Sequence, residues 1–240
     1  MTAPQSNADN PDGAEGDAAR CEDPLWGFVS PGEHRWPTAL TIVVVIAFQL
    51  SLPSKLTLGP DWMMPLIEGA VLATLLVVGP IRLDARSRDV RWISLTLIGI
   101  LSAANAFTLG LLIHHLLKPG DLTDGRTLVF SAFTVWATAV LSFGLWYWEL
   151  DRGGPVQRCF PDHGPPDFLF PQMENPSVTK QRWTPIFVDY LYLSFTNSTA
   201  FSPTDTMPLT GRAKLLMGVQ ATSALIVSIL VIARGVGVLQ

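Results

Sequence analysis

The chain has 240 residues, of which 48% are hydrophobic and only 15% charged, with a net charge of −4 and a mean hydropathy of +0.33. A soluble domain carries about 25% charged residues, and here the charges cluster and leave long uncharged blocks. That excludes an ordinary soluble domain and points to a polytopic membrane protein, since roughly 20 apolar residues in a helix cross the ~30 Å core of a bilayer.

The first 35 residues read as a disordered acidic tail. Asp9, Asp12, Glu15, Asp17, Glu22 and Asp23 lie among Ala, Gly, Asn and Pro, a composition that cannot bury enough apolar surface to offset ordering. The segment lacks the basic start and early apolar core of a signal peptide. Residues 36–150 read as four transmembrane helices. The first runs from about Trp36 to Leu52, with Pro37 in the tolerant first turn. The second starts at the Asp61-Trp62 interface and runs to Val78, before Gly79-Pro80. The third covers about Trp92 to Leu117 and the fourth about Thr127 to Trp148. Residues 151–184 form a proline-rich connector. Pro155, Pro161, Pro165, Pro166, Pro171, Pro176 and, just beyond, Pro185 argue for extended chain there. A last span covers about Ala213 to Val238.

Lys and Arg in short loops set the expected orientation. Arg82, Arg86, Arg88 and Arg91 between spans two and three, and Arg152 and Arg158 at the start of the connector, mark the cytoplasmic side. The nearly neutral KPGDLTDGR loop then lies outside, and the N-terminus is cytoplasmic. Residues 185–201 are 17 long, at the lower limit for a span. They either cross as a short sixth helix or re-enter on the same side. The sequence leaves both open, with six crossings the preferred count. The fold class is therefore an all-α integral membrane helical bundle, with five clear spans plus this short element.

On a helix, Asp189, Tyr192, Thr196 and Thr199 share one face at spacings of three, four and three, with Asn197 flanking it. Ionisable groups in a membrane segment cost at least ~2.5 kcal/mol at the centre, so this face turns towards protein or water. It is either a hydrophilic lining or ligand site, or a polar seam between helices of the kind Ser, Thr and Asn commonly make. Glu68, about two turns into span two, raises the same choice. It takes up a proton or cation, or pairs with a base, or else reaches the headgroups as an interfacial carboxylate. Asn105, in the small-residue patch SAANA, reads as a packing contact, and His114 and His115 as interfacial. Gln220 should face the interior, with Arg234 at the far interface. Trp136, Trp146, Tyr147 and Trp148 resemble an aromatic belt.

Cys159 and His163 have ligand spacing, but a metal site needs three or four ligands and no partner pair is evident. Cys21 and Cys159 read as free thiols. Asn197-Ser198-Thr199 is formally a glycosylation sequon, in or beside the membrane and so unused. No nucleophile–base pair, phosphate loop or metal-binding helix motif appears, which argues against an enzyme and implies no cofactor. No polybasic or aromatic-basic patch suggests a nucleic-acid partner.

The C-terminal quarter carries DYLYLSFTNSTAF, then Asp205-Thr206-Met207-Pro208, then Arg212, then LLMGVQATSALIVSILVIARGVG. An aromatic short helix, a hydroxyl-rich run, an Asp-x-x-Pro turn, an Arg and a long apolar helix resemble, in that order, the pore module of tetrameric pore-loop cation channels. The resemblance covers about 55 of the 240 residues. It departs at the filter. Potassium channels of that family use a Thr-Val-Gly-Tyr-Gly loop whose carbonyls replace the ion's hydration shell, whereas no glycine lies here between Phe195 and Thr210. Potassium selectivity is not implied. The F-x-Y-x-S-F-type helix, the Thr-x-Phe-x-x-[Ser/Thr]-Asp run and the closing apolar helix are also similar to a domain-of-unknown-function family of bacterial multi-span membrane proteins. That resemblance implies a bacterial inner-membrane location and no particular activity.

The leading functional expectation is an ion-channel-like pore or small-ion-binding protein in a homo-oligomer. Asp189 or Asp205 would supply a negative field, and Tyr192, Thr196, Asn197 and Thr199 the oxygen and amide groups. The alternative is a non-conducting membrane scaffold or sensor. A secondary transporter is weaker, because no two matching halves with paired interrupted helices are visible.

Overall fold

The computed structural model describes residues 30, 33, 36–57, 60, 62–78, 88–117, 125–160, 164–175, 183–199 and 205–238. The acidic residues 1–29, the arginine-bearing stretch 79–87, the 118–124 loop, His163 and residues 200–204 lie outside that set, so the expectations for them are not addressed. The described chain is mostly helical. Its elements are α1 (Trp36–Leu50), α2 (Met63–Val78), α3 (Arg88–Leu117), α4 (Gly125–Leu150), β1 (Phe168–Leu169), the single turn α5 (Pro171–Glu174), α6 (Phe187–Thr199), β2 (Met207–Pro208) and α7 (Gly211–Val238).

Three of these helices, within α3, α4 and α7, are long and apolar enough to cross a membrane. That makes the chain a helical membrane protein. Five full spans were expected, and α1 and α2 fall short of it. They are apolar but have 15 and 16 residues, roughly 23 Å each at 1.5 Å per residue. The cause for α1 is local. Pro53 cannot continue the helix, and the chain turns through a 3-10 turn at Ser54–Leu56.

α4 is the central post, packed against α1, α3, α6 and α7. Side-chain contacts give each neighbour's direction. Trp146 donates to Ser102 Oγ at 2.8 Å, while Leu128 near the start of α4 shares a core with Leu112 near the end of α3, so α3 is antiparallel to α4. Phe48 meets Phe133 with ring centroids 6.4 Å apart, and Glu33, just before α1, accepts from Trp148 Nε1 at 2.6 Å; α1 is antiparallel too. Along α6, Tyr190 reaches Asp151, Ser194 reaches the Val140 carbonyl and Phe195 reaches Trp136. α6 therefore runs back along α4 from its C-terminal end.

α7 starts at that same end, where Arg212 holds Asp167, and runs down to Val227 beside Leu128 and Val135. α6 and α7 are thus parallel neighbours. The preferred count of six crossings gives way to a different path. α6 goes in about 20 Å, the length of its 13 residues, and by Thr206 the chain is back at the end where α6 began. The short antiparallel pairing of Phe168 with Pro208 and Leu169 with Met207 fixes the return.

The proline-rich connector is also more than extended chain. Asp151, Arg152, Arg158 and Asp167 are all at most 3% exposed. Pro171 takes the first position of a helical turn, where its missing N–H costs nothing. Phe168 and Phe170 stack edge-on against Tyr147 and Tyr190, at centroid distances of 5.1 and 5.4 Å. Arg152, Gly153 and Gly154 leave α4 with φ values of 52°, 85° and 100°, a left-handed exit that favours glycine. A Cβ on Gly154 would lie 3.0 Å from the Glu149 carbonyl. The turn folds the connector back over the end of α4.

Candidate functional site

The side chains with chemistry gather where α4, α6 and α7 meet. α6 forms because its N-terminus is capped. Pro185 precedes it, and Asp189 in its first turn accepts from the Ile186 N–H at 2.8 Å. A carboxylate reaching back from the third helical position satisfies a donor that the helix leaves free and suits the positive end of its dipole. Asp189 thus has a capping task.

The face of α6 buried against α4 and α7 carries Tyr190, Leu193 and Ser194, with Asn197 beside it. Close approach to α4 depends on Gly144, where a Cβ would be 3.2 Å from the Leu191 Cα. Gln220 of α7 is the hub of a hydrogen-bonded knot. Its Oε1 accepts from Tyr147 and, at 2.9 Å, from Asn197 Nδ2. Its Nε2 faces Ser194 Oγ at 2.6 Å and Ser198 Oγ at 2.7 Å. Asn197 also donates to the Met217 carbonyl at 3.0 Å, and Ser194 to the Val140 carbonyl at 2.6 Å. Tyr147, Ser194 and Gln220 are at most 1% exposed. Gln220 faces the interior, as expected. Tyr147 and Trp148 are buried, not part of a belt.

Above the knot, at the connector end, lies a cluster of buried charges. Asp151 accepts from Tyr190 Oη at 2.6 Å and from the Asp167 N–H at 2.8 Å. Asp167 takes both arms of Arg212, at 2.7 and 2.6 Å, and the Thr210 hydroxyl at 2.5 Å. Such two-pronged pairing is the strong form of an ion pair. Thr210 in turn accepts from the Ala213 N–H at 3.3 Å, capping α7. Arg158 donates to the carbonyls of Trp148 and Asp151 at 2.8 and 3.0 Å, which tie off the end of α4. Its guanidinium lies 5.2 Å from the Tyr190 ring centroid. Glu33 accepts from Trp148 and from the Phe187 N–H at 2.9 Å; burial pushes its carboxyl above the usual range.

Of the residues singled out from sequence, Asn197 and Thr199 line one cleft, and the others are not brought together with them. Tyr192 is 65% exposed on the outer side of α6, and the Thr196 and Thr199 hydroxyls there bond back to the Tyr192 and Phe195 carbonyls at 3.0 Å. Asp205 is exposed at the connector end, away from the knot. Asn197 alone of that set turns inward, which also removes its amide from reach as a glycosylation acceptor. Glu68 is fully buried in α2. Asn105 lines a cavity of about 320 Å³ between α3, α4 and α7. His115 contacts the Lys55 carbonyl at 3.2 Å, while His114 is exposed. The Arg234 side chain lies outside the described residues. Among those residues, no group of three His, Cys, Asp or Glu side chains could hold a metal.

Sequence reasoning missed Tyr147, Asp151, Arg158, Asp167 and Glu33. It also missed four buried α4 hydroxyls without partners, Ser131, Thr134, Thr138 and Ser142, whose spacing of three, four and four was there to be read. Beyond the knot, α6 ends at a cleft of about 630 Å³ between α4 and α7. Asn197, Ser198 and Thr199 lie at its head, and Phe133, Trp136 and Leu225 are among its walls.

No protein-family model, curated protein or solved structure matches the chain.

Proposed function

We propose that the chain is a pore-loop-like membrane protein in which the end of α6 binds or passes a small inorganic cation, in an assembly of several copies. The observation that carries this reading is where α6 stops. It enters beside α7 and ends at the head of a cleft lined by an amide, hydroxyls and apolar side chains, with no Lys or Arg among them. The last carbonyls of a helix lack intrahelical partners and carry about half a negative charge. Ser198 and Thr199 add oxygen atoms at the same place, so a cation is favoured there.

In a bilayer, a short helix that goes in and comes back is a re-entrant element, tolerated where protein or a cavity shields its end. Arg212 and Lys214 then stay at the connector end with Arg152 and Arg158, and this argues for a cytoplasmic connector end and N-terminus. The outer faces of α6 and α7, with Tyr192, Leu215 and Val219 more than half exposed, offer surface for further copies. The test is flux. Purified protein in liposomes is expected to move a monovalent cation, and Thr199→Val, a substitution at an exposed position, to lower that flux. Wild-type liposomes that move no cation end the reading.

A second reading, a non-conducting scaffold or sensor, is favoured by one observation. Ser194, Asn197 and Ser198 engage Gln220, which uses α6's inward polar groups as a seam. Variants of these residues that change stability or assembly, in liposomes that never conduct, would decide for it.

A further inference from the structure

Glu68 lies five residues after the start of α2, roughly 7.5 Å in, and is 0% exposed. Neither carboxyl oxygen makes a hydrogen bond of ordinary geometry among the described residues, and the Gln49 amide nitrogen on α1, whose side chain lies close enough to act on Glu68, is unpartnered as well. Two helices pack against α2, namely α1 and α3. α1 has no Asp, Glu, Lys, Arg or His between Trp36 and Leu50. The ionisable residues of α3 are Arg88, Asp89 and Arg91 at one end and His114 and His115 at the other. Lys55, on the turn between α1 and α2, is exposed. Among the described residues Glu68 therefore has no counter-charge.

An isolated carboxylate in such surroundings costs several kcal/mol, and the group neutralises instead. Gln49 is suited to both forms. Its carbonyl can accept from the acid O–H, and its NH₂ can donate to the carboxylate. A cavity of about 20 Å³ adjoins Gln49 and is lined also by Thr57, Pro60, Met64, Pro65 and Thr108. That is room for a single water, with Gln49, Thr57 and Thr108 as polar partners, on the side of the α1–α2 turn.

We propose that Glu68 is a reversible proton-binding site, served by Gln49 and entered from the α1–α2 turn. In the step, the Glu68 O–H bond breaks as a new O–H bond forms on a water that reaches it past Gln49 from that cavity; the electron pair stays on the carboxylate, which turns to the Gln49 amide, and the hydronium hands the proton to solvent by way of the α1–α2 turn. The site is independent of the α6 element and of whether that element conducts.

A hydrophobic carbodiimide, which attacks protonated carboxyls in apolar surroundings, tests it on the detergent-purified full chain. Mass spectrometry should find the adduct on Glu68 at pH 6, at least several-fold less at pH 9, and none in Glu68→Gln. That variant mimics the neutral acid in shape and should fold. Gln49→Leu should move the pH at which labelling halves. Sodium at fixed pH should leave labelling unchanged. The proposal fails if Glu68 is unlabelled throughout, if its labelling does not fall between pH 6 and 9, or if sodium suppresses it, which would make a metal cation the ligand. Infrared spectra of the wild type give an independent readout, because the protonated carboxyl band missing from Glu68→Gln should vanish as pH rises.

Discussion

Asp167 and Glu68 are both buried acids, 0% exposed, in opposite kinds of surroundings. Asp167 is saturated by Arg212, Thr210 and the Arg152 N–H at 3.3 Å. Among the described residues, Glu68 has the Gln49 amide near it and makes no hydrogen bond of ordinary geometry. The connector end spends its charges on holding the chain together, whereas the α1–α2 corner keeps one carboxyl uncommitted. A buried ionised group with every oxygen bonded is a fastener. A buried carboxyl with neither oxygen bonded is free to exchange its proton.

The comparison breaks most directly at Asp167. Asp167→Ala should cost about 3 kcal/mol, because it strips Arg212 and Thr210 of their acceptor. Glu68→Gln at pH 6 should cost little, since the amide replaces a neutral acid of the same shape. Unfolding in mild detergent measures both, and equal losses would erase the distinction. Gly144→Val is next. It forces a branched side chain against Leu191, and overpacking of this kind costs about 1–3 kcal/mol; a lowered midpoint with α6 newly open to protease is the expected result. Gln220→Leu should follow at about 2 kcal/mol and Tyr147→Phe at less than about 1, since hydrogen bonds within membranes average about 0.6 kcal/mol each. A Tyr147→Phe loss as large as that of Gln220→Leu would show that the knot is not centred on Gln220.

The smallest effect is on pH dependence. Glu33 has a carboxyl raised above its ordinary 4.5 by burial. An acid raised on folding stabilises fully below the unfolded value, and that contribution is lost as pH climbs through the folded one. Wild-type stability should therefore fall relative to Glu33→Gln as pH rises above about 4.5. Parallel thermal scans across that range check the sign.

The long helices were legible because apolar length is a local property. Spans expected at Trp92 to Leu117 and Ala213 to Val238 appear as Arg88–Leu117 and Gly211–Val238. α6, as Phe187–Thr199, lies inside the 17 residues marked out for it. Its path was not legible. Seventeen residues fit a crossing or a return equally well, and the choice rests on Asp167 with Arg212 and on β1 with β2, contacts between distant parts of the sequence. The connector misled for the same reason. Its prolines speak of local extension, while the burial of Asp151 and Arg158 depends on Tyr190 and on the end of α4. Asp189 reads from sequence as a field-setting charge, and the sequence does not reveal that its carboxylate also turns back to cap its own helix.

The Asp167 clasp also has a consequence for the order in which the protein is made. Asp167 leaves the ribosome before α6, and Arg212, its counter-ion, follows 45 residues later. Until then α6 is held by its bonds to Glu33, Asp151 and the Val140 carbonyl, and the return after it closes only when the first turn of α7 has been synthesised. A chain stopped before Thr210 can close neither this corner nor the cap of the last helix. Damage at the C-terminal end is thus felt far upstream, in a connector that was completed long before.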